Sequence, residues 1–356
     1  MKIGLDLRTI NTSSTYFKFI YDFIKELKTE DTENTYILYT SPLNYYNFIE
    51  LTNLFEVKKL DITAGSLMDQ TAGLKYFNDE NLGNLVFFSY LRPYFYKKRN
   101  TVVIEDLKDL LYPKESSSIK RIKYNLSLKL SVLNTTKIIG FSKDTKIGLN
   151  EKLNIKDEKI SIINPFFIKN RKNEDFIDIR MKYNIVNDYV IYPGIFNNQN
   201  KNITRLIEAI ARLNNDENIN IDLVFTDKSI ANIVELREII LRNKIENKVK
   251  FLSDIKEEDL YFYYFESAGI VYPSLYESFP FELSDAIYFK KNIITSNIEN
   301  IKTVFGDSIS YFHPMSINEI KIEITKLKDN KKTPDYSGIL EKYDSKKFIE
   351  NFISNI

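Results

Sequence analysis

Cysteine is absent from the 356 residues and His313 is the only histidine, so disulfides, cysteine nucleophiles, Ser-His triads and Cys/His metal sites are excluded by inventory. Acid–base chemistry is left to carboxylates, lysine, tyrosine or the substrate itself. Glycine is scarce at 10 residues, so few loops can take positive φ or admit close backbone approach. No apolar run reaches the length of a membrane span, and the opening MKIGLD puts charge where a signal peptide needs an apolar core. A cytoplasmic location is expected. A formal net charge of +1 gives no global bias toward nucleic acid, so none is expected as a partner.

The chain carries instead an alternation of strand and helix patterns, and its 43% hydrophobic content can fill two ordinary cores. Residues 2–10 alternate apolar and polar side chains, Ser13, Ser14 and Thr15 can cap a helix that begins after them, and Phe19, Ile20, Phe23, Ile24 and Leu27 recur at helical spacing. Further strands are expected at 36–40, 84–90, 101–104, 137–142 and 159–163, apolar enough for a buried parallel sheet. The run 169–175, KNRKNED, is polar and aperiodic and reads as an interdomain connection. Beyond it come strands at 189–193, 221–225, 249–252, 268–272 and 308–312. The expected division is a first domain at 1–168, a linker at 169–187, a second domain at 188–340 and a final helix within 341–356. The fold class is α/β. His313 is expected to be packed or on the surface.

The most informative stretch is 268–297, AGIVYPSLYESFPFELSDAIYFKKNIITSN. Ile270, Val271 and Tyr272 form a strand that stops at Pro273, Glu277 stands in the loop, and Leu283, Ala286 and Ile287 open a helix. A carboxylate just past a strand's carboxyl end, followed by a helix that offers free N–H groups, is how open α/β sheets build a polyol or phosphate site. Lys201 stands at another helix N-terminus, ahead of Ile203, Leu206, Ile207 and Ile210. There its charge adds to oriented N–H groups for a diphosphate; the alternative is a surface lysine.

The segment 272–279, YPSLYESF, with Asp285, Ala286 and the run 292–297, NIITSN, resembles the signature of retaining glycosyltransferases of family 4, the glycosyl transferases group 1. The resemblance implies the GT-B fold: two Rossmann-like domains facing a cleft, the first for the acceptor and the second for a nucleotide-sugar donor, with the last helix crossing back to the first domain. It implies Glu277 at the donor sugar as a catalytic residue, Asp285 in place of a second glutamate at the ribose, and Ser278 and Phe279 as substrate-binding neighbours. Lys201 matches a lysine that neutralises the leaving nucleotide, and Lys18 stands where the family often has arginine. Glu282, three residues before Asp285, is an alternative ribose ligand.

Several positions depart from that pattern. The loop 11–18 has no glycine, Glu105 replaces a histidine at a strand end, Ile195 stands at an arginine position, and Pro280 and Glu282 stand where glycine and proline are usual. Glu105 is either an acceptor for sugar hydroxyls, and so catalytic, or a solvated edge acid. The expected function is transfer of a hexose, with retention, to a glycan, lipid-linked or protein acceptor in bacterial surface-glycan synthesis. No cofactor or metal is expected. The alternative is a non-catalytic GT-B subunit that binds a partner or glycan. The amphipathic stretch 117–135, with Lys120, Arg121, Lys123 and Lys129 among Ile122, Leu126, Leu128 and Leu130, is either a solvated helix or a peripheral contact with the inner face of the membrane.

Overall fold

The computed structural model describes all residues except 12–13, 112–117, 169–177, 195–198, 253–256 and 331. The chain divides into two compact units, Met1–Phe166 with Tyr343–Ile356, and Phe167–Lys342. The expected linker has no place of its own in that division. Residues 169–177 lie outside the described residues, and helix Ile179–Lys182 belongs to the second unit, where Ile179 is buried and Arg180 Nε donates to Glu266 at 2.8 Å.

The first unit carries seven strands: β1 (Lys2–Asp6), β2 (Thr35–Thr40), β3 (Glu56–Lys59), β4 (Asn84–Phe87), β5 (Asn100–Ile104), β6 (Lys137–Gly140) and β7 (Ile160–Ile162). They pair in parallel in the order β3-β2-β1-β4-β5-β6-β7. The edge strand β3 leaves no signal in the sequence because its EVKK has no buried residue to create a pattern. β1 stops four residues short of the expected stretch. The Asp6 carboxylate turns back to accept from Arg8 N at 3.2 Å and Nε at 2.8 Å, while Arg8 Nη1 reaches Asp69 Oδ1 at 2.9 Å. This buried triad ends the strand and ties it to a segment 61 residues away.

Helix Thr15–Glu30 buries Phe19, Ile20, Phe23, Ile24 and Leu27, the stripe legible in the sequence. Ser14 caps it by accepting from Phe17 N. Against that stripe lies the last helix, Ser345–Ser354: the Phe348 ring is 5.3 Å from Phe19, and the Phe352 ring is 4.8 Å from Phe23. The chain thus returns from its second unit to complete the core of its first.

The second unit has β8 (Asp188–Tyr192), β9 (Ile221–Phe225), β10 (Val249–Phe251), β11 (Gly269–Tyr272), β12 (Ile293–Ser296) and β13 (Ser310–Phe312), again all parallel, in the order β10-β9-β8-β11-β12-β13. Both units are Rossmann-like. In this sheet the winding reverses between β8 and β11, which opens a crevice at the carboxyl ends of those two strands.

Candidate functional site

The loops that leave β8 and β11 are bound to each other. Asn202, held in the left-handed conformation at φ 54°, donates through Nδ2 to Pro273 O at 2.9 Å and to Pro314 O at 2.7 Å. Asparagine tolerates that conformation better than most residues. Leu275 N donates to Asn200 O at 2.7 Å. From the other side Asn300, in helix Glu299–Phe305, donates through Nδ2 to Glu277 O at 2.9 Å. These bonds fix both sides of one small volume, and Lys201 and Glu277 project into it.

Lys201 Nζ lies 2.7 Å from Glu277 Oε1, 3.0 Å from Glu282 Oε1 and 3.0 Å from the Tyr272 hydroxyl. The three charged side chains are between 8% and 13% exposed. Burial works against the Lys201 ammonium, but the two carboxylates push it well above the ordinary lysine range. Burial pushes the Glu277 carboxyl up, and Lys201 only partly offsets this. Glu282 feels the same burial yet is held below the usual carboxylate range by the charge and hydrogen bond of Lys201. With one cation and two carboxylates, the cluster carries one formal negative charge when all three are ionised.

Lys201 therefore does not stand free at a helix N-terminus. It ends the 3-10 turn Gln199–Lys201, ahead of helix Ile203–Asn215, with its ammonium turned into the cluster. Glu282 is likewise not on the face of a long helix. Pro280 is followed by the 3-10 turn Phe281–Leu283, and helix Ser284–Tyr288 starts only after it. Asp285 is consequently the second residue of that helix; it is half-buried, and its charge acts on the buried Tyr264 hydroxyl. Phe279 is packed against Phe167 and Phe281, each at 4.9 Å between ring centres, and Ser278 is buried beside it.

The structure thus brings together Lys201, Glu277 and Glu282 from the sequence candidates, and adds Tyr272, whose place in a strand hides its role. Gly194, at φ 89°, completes the local geometry: a Cβ there would fall 2.5 Å from Glu282 Cγ. Glycine after β8 thus serves both the turn and the seat of Glu282. Ile195 lies outside the described residues.

Lys18 and Glu105 belong to the first unit. Lys18 is exposed on helix Thr15–Glu30, and Glu105 is exposed directly after β5, where its charge and that of Asp106 add to burial in raising the Tyr16 hydroxyl. His313 is exposed; its backbone N–H donates to Glu319 Oε2 at 2.7 Å and its Nδ1 accepts from Met315 N at 3.3 Å. Among the described residues, no helix is long and apolar enough to cross a membrane.

Comparison with known proteins agrees with this architecture. The O-antigen chain mannosyltransferase RfbU of Salmonella typhimurium is 23% identical over 264 residues, covering 72% of this chain and 70% of that protein. The O-antigen chain mannosyltransferase B of Escherichia coli is 24% identical over 155 residues, covering 43% of this chain and 40% of that one. Among solved structures, Anabaena Alr3699/HepE in complex with UDP and glucose superposes with a TM-score of 0.75 at 13% identity, over 99% of this chain and 98% of that one. WaaG, a glycosyltransferase involved in lipopolysaccharide biosynthesis, gives 0.67 at 12% identity, over 99% and 95%. Both units have the GT-B fold of these neighbours, and residues 176–339, nearly the whole second unit, match the family described as Glycosyl transferases group 1.

Proposed function

We propose that this glycosyltransferase moves a hexose from a nucleotide-sugar to a glycan, lipid-linked or protein acceptor, with retention, in the assembly of a bacterial surface glycan. The observation that carries the proposal is the Lys201–Glu277 pair at the carboxyl ends of β8 and β11, the place where a doubly wound sheet receives a nucleotide. In this proposal Lys201 meets the diphosphate, whose negative charge grows as the sugar departs, and Glu277 accepts from sugar hydroxyls. The leaving phosphate takes the acceptor's proton, which suits a chain with a single, exposed histidine. No metal is required by this scheme, since lysine supplies the positive charge. The two O-antigen mannosyltransferases among the relatives support a surface glycan as product.

A peripheral membrane contact would place the enzyme near a lipid-linked acceptor. Helix Ser118–Leu133 supports it, because Ile119, Ile122, Leu126 and Leu133 are exposed alongside Arg121, Lys123 and Lys129. The deciding assay is release of UDP or GDP from a panel of nucleotide-hexoses in the presence of membrane-lipid acceptors, with the product anomer read by NMR. Release from one donor, with the anomer retained, is expected. No release from any would favour a non-catalytic GT-B subunit, a second reading supported by the neutralisation of Lys201 by the chain's own carboxylates.

A further inference from the structure

We infer that Glu282 is an internal competitor of the donor: its carboxylate occupies the ligand position on Lys201 that a donor phosphate oxygen must take, so donor binding requires Glu282 to leave. The inference rests on Lys201 being the diphosphate ligand of the proposed function. An ammonium has three N–H donors. In Lys201 each has an acceptor, Tyr272 at 3.0 Å, Glu277 at 2.7 Å and Glu282 at 3.0 Å. No N–H is left for a phosphate, and a cluster already one charge negative would repel it.

One of the three acceptors must therefore give way, and the geometry selects Glu282. Tyr272 is the last residue of β11, fully buried, with its carbonyl fixed by the Thr295 hydroxyl at 2.8 Å. Glu277 sits on the loop that Asn300 and Asn200 hold in place, with the shortest bond to Lys201. Glu282 hangs from a three-residue 3-10 turn and has its Cγ laid across Gly194, the one residue there without a side chain to block movement. Its departure leaves Lys201 and Glu277 as a neutral pair. A phosphate oxygen then replaces a carboxylate oxygen, anion for anion.

The test is isothermal titration of UDP, GDP and their parent nucleosides into the wild-type chain, Glu282→Gln and Glu282→Ala. Glutamine keeps the shape and removes the charge, and thermal unfolding of each variant checks that it is folded. Both variants are expected to bind UDP or GDP about tenfold or more tightly than the wild type, as removal of one charge-assisted competitor implies, with nucleoside binding unmoved. Equal or weaker diphosphate binding by both variants, beside measurable binding by the wild type, would overturn the competitor role and leave Lys201 as a donor ligand. No diphosphate binding by any of the three would overturn both. A gain shared equally by the phosphate-free nucleosides would also overturn it, since the effect would then lie in pocket shape rather than in Lys201.

Discussion

Lys201 and Glu277, 76 residues apart, meet at 2.7 Å with their side chains 8% and 11% exposed. A buried pair of this kind is costly to break from one side. Lys201→Met should strand two buried carboxylates and destabilise the fold by about 3–5 kcal/mol in urea unfolding at neutral pH. Adding Glu277→Gln and Glu282→Gln to Lys201→Met should restore most of that loss. A Lys201→Met protein as stable as wild type would mean the cluster is open to water.

The kinetic roles separate by position. Glu277→Ala should abolish transfer, whereas Asp285→Ala should raise the donor KM by the equivalent of about 1.5–3 kcal/mol, one hydrogen bond to a charged group. Glu105→Gln should slow turnover without changing the urea midpoint, because Glu105 is exposed after β5. Unchanged kinetics in Glu105→Gln would make it a solvated edge acid.

The returning helix is a structural requirement of the first unit. Phe348 and Phe352 are buried against Phe19, Phe23, Phe88 and Phe166, so Phe348→Ala or Phe352→Ala should each cost about 3–5 kcal/mol. A loss below about 1 kcal/mol, measured by chemical denaturation, would show that the helix docks only loosely.

Acid stability has an identifiable contributor at Asp31, the residue that closes helix Thr15–Glu30. Burial pushes its carboxyl up, but bonds from the Tyr36 hydroxyl, the Asn34 side chain and the backbone N–H groups of Asn34 and Glu33 bring it below its ordinary 3.8. A carboxyl depressed on folding stabilises above its unfolded value, and that contribution is lost as pH falls through the folded one. Asp31→Asn should therefore be less stable than wild type by about 1–3 kcal/mol at about pH 7, with the gap shrinking as pH falls below the ordinary 3.8. A gap that does not change with pH would assign the effect to shape alone.

Much of this organisation is legible in the chain. The strand-helix alternation, the stripe Phe19 to Leu27 and the final helix come from local pattern or resemblance, and the resemblance picks out Lys201 and Glu277 as separate candidates without pairing them. Local pattern does not carry the meeting of distant polar residues. Arg8 reads as an alternating strand position until Asp69 is placed beside it, and Glu282 reads as helical until the 3-10 turn after Pro280 aims it at a lysine 81 residues away. A glycine after β8, in a chain with so few, is the one signal of close approach there.

In the proposed function the crevice at the ends of β8 and β11 is a nucleotide-sugar site built on Lys201 and Glu277. Isothermal titration of a panel of UDP- and GDP-hexoses into the wild-type chain and Glu277→Ala tests this most directly. Saturable binding of one donor by the wild type, weakened at least about tenfold in Glu277→Ala while the parent nucleoside diphosphate binds both proteins, is the predicted result. Equal donor binding by the two proteins, or none by the wild type, would contradict it.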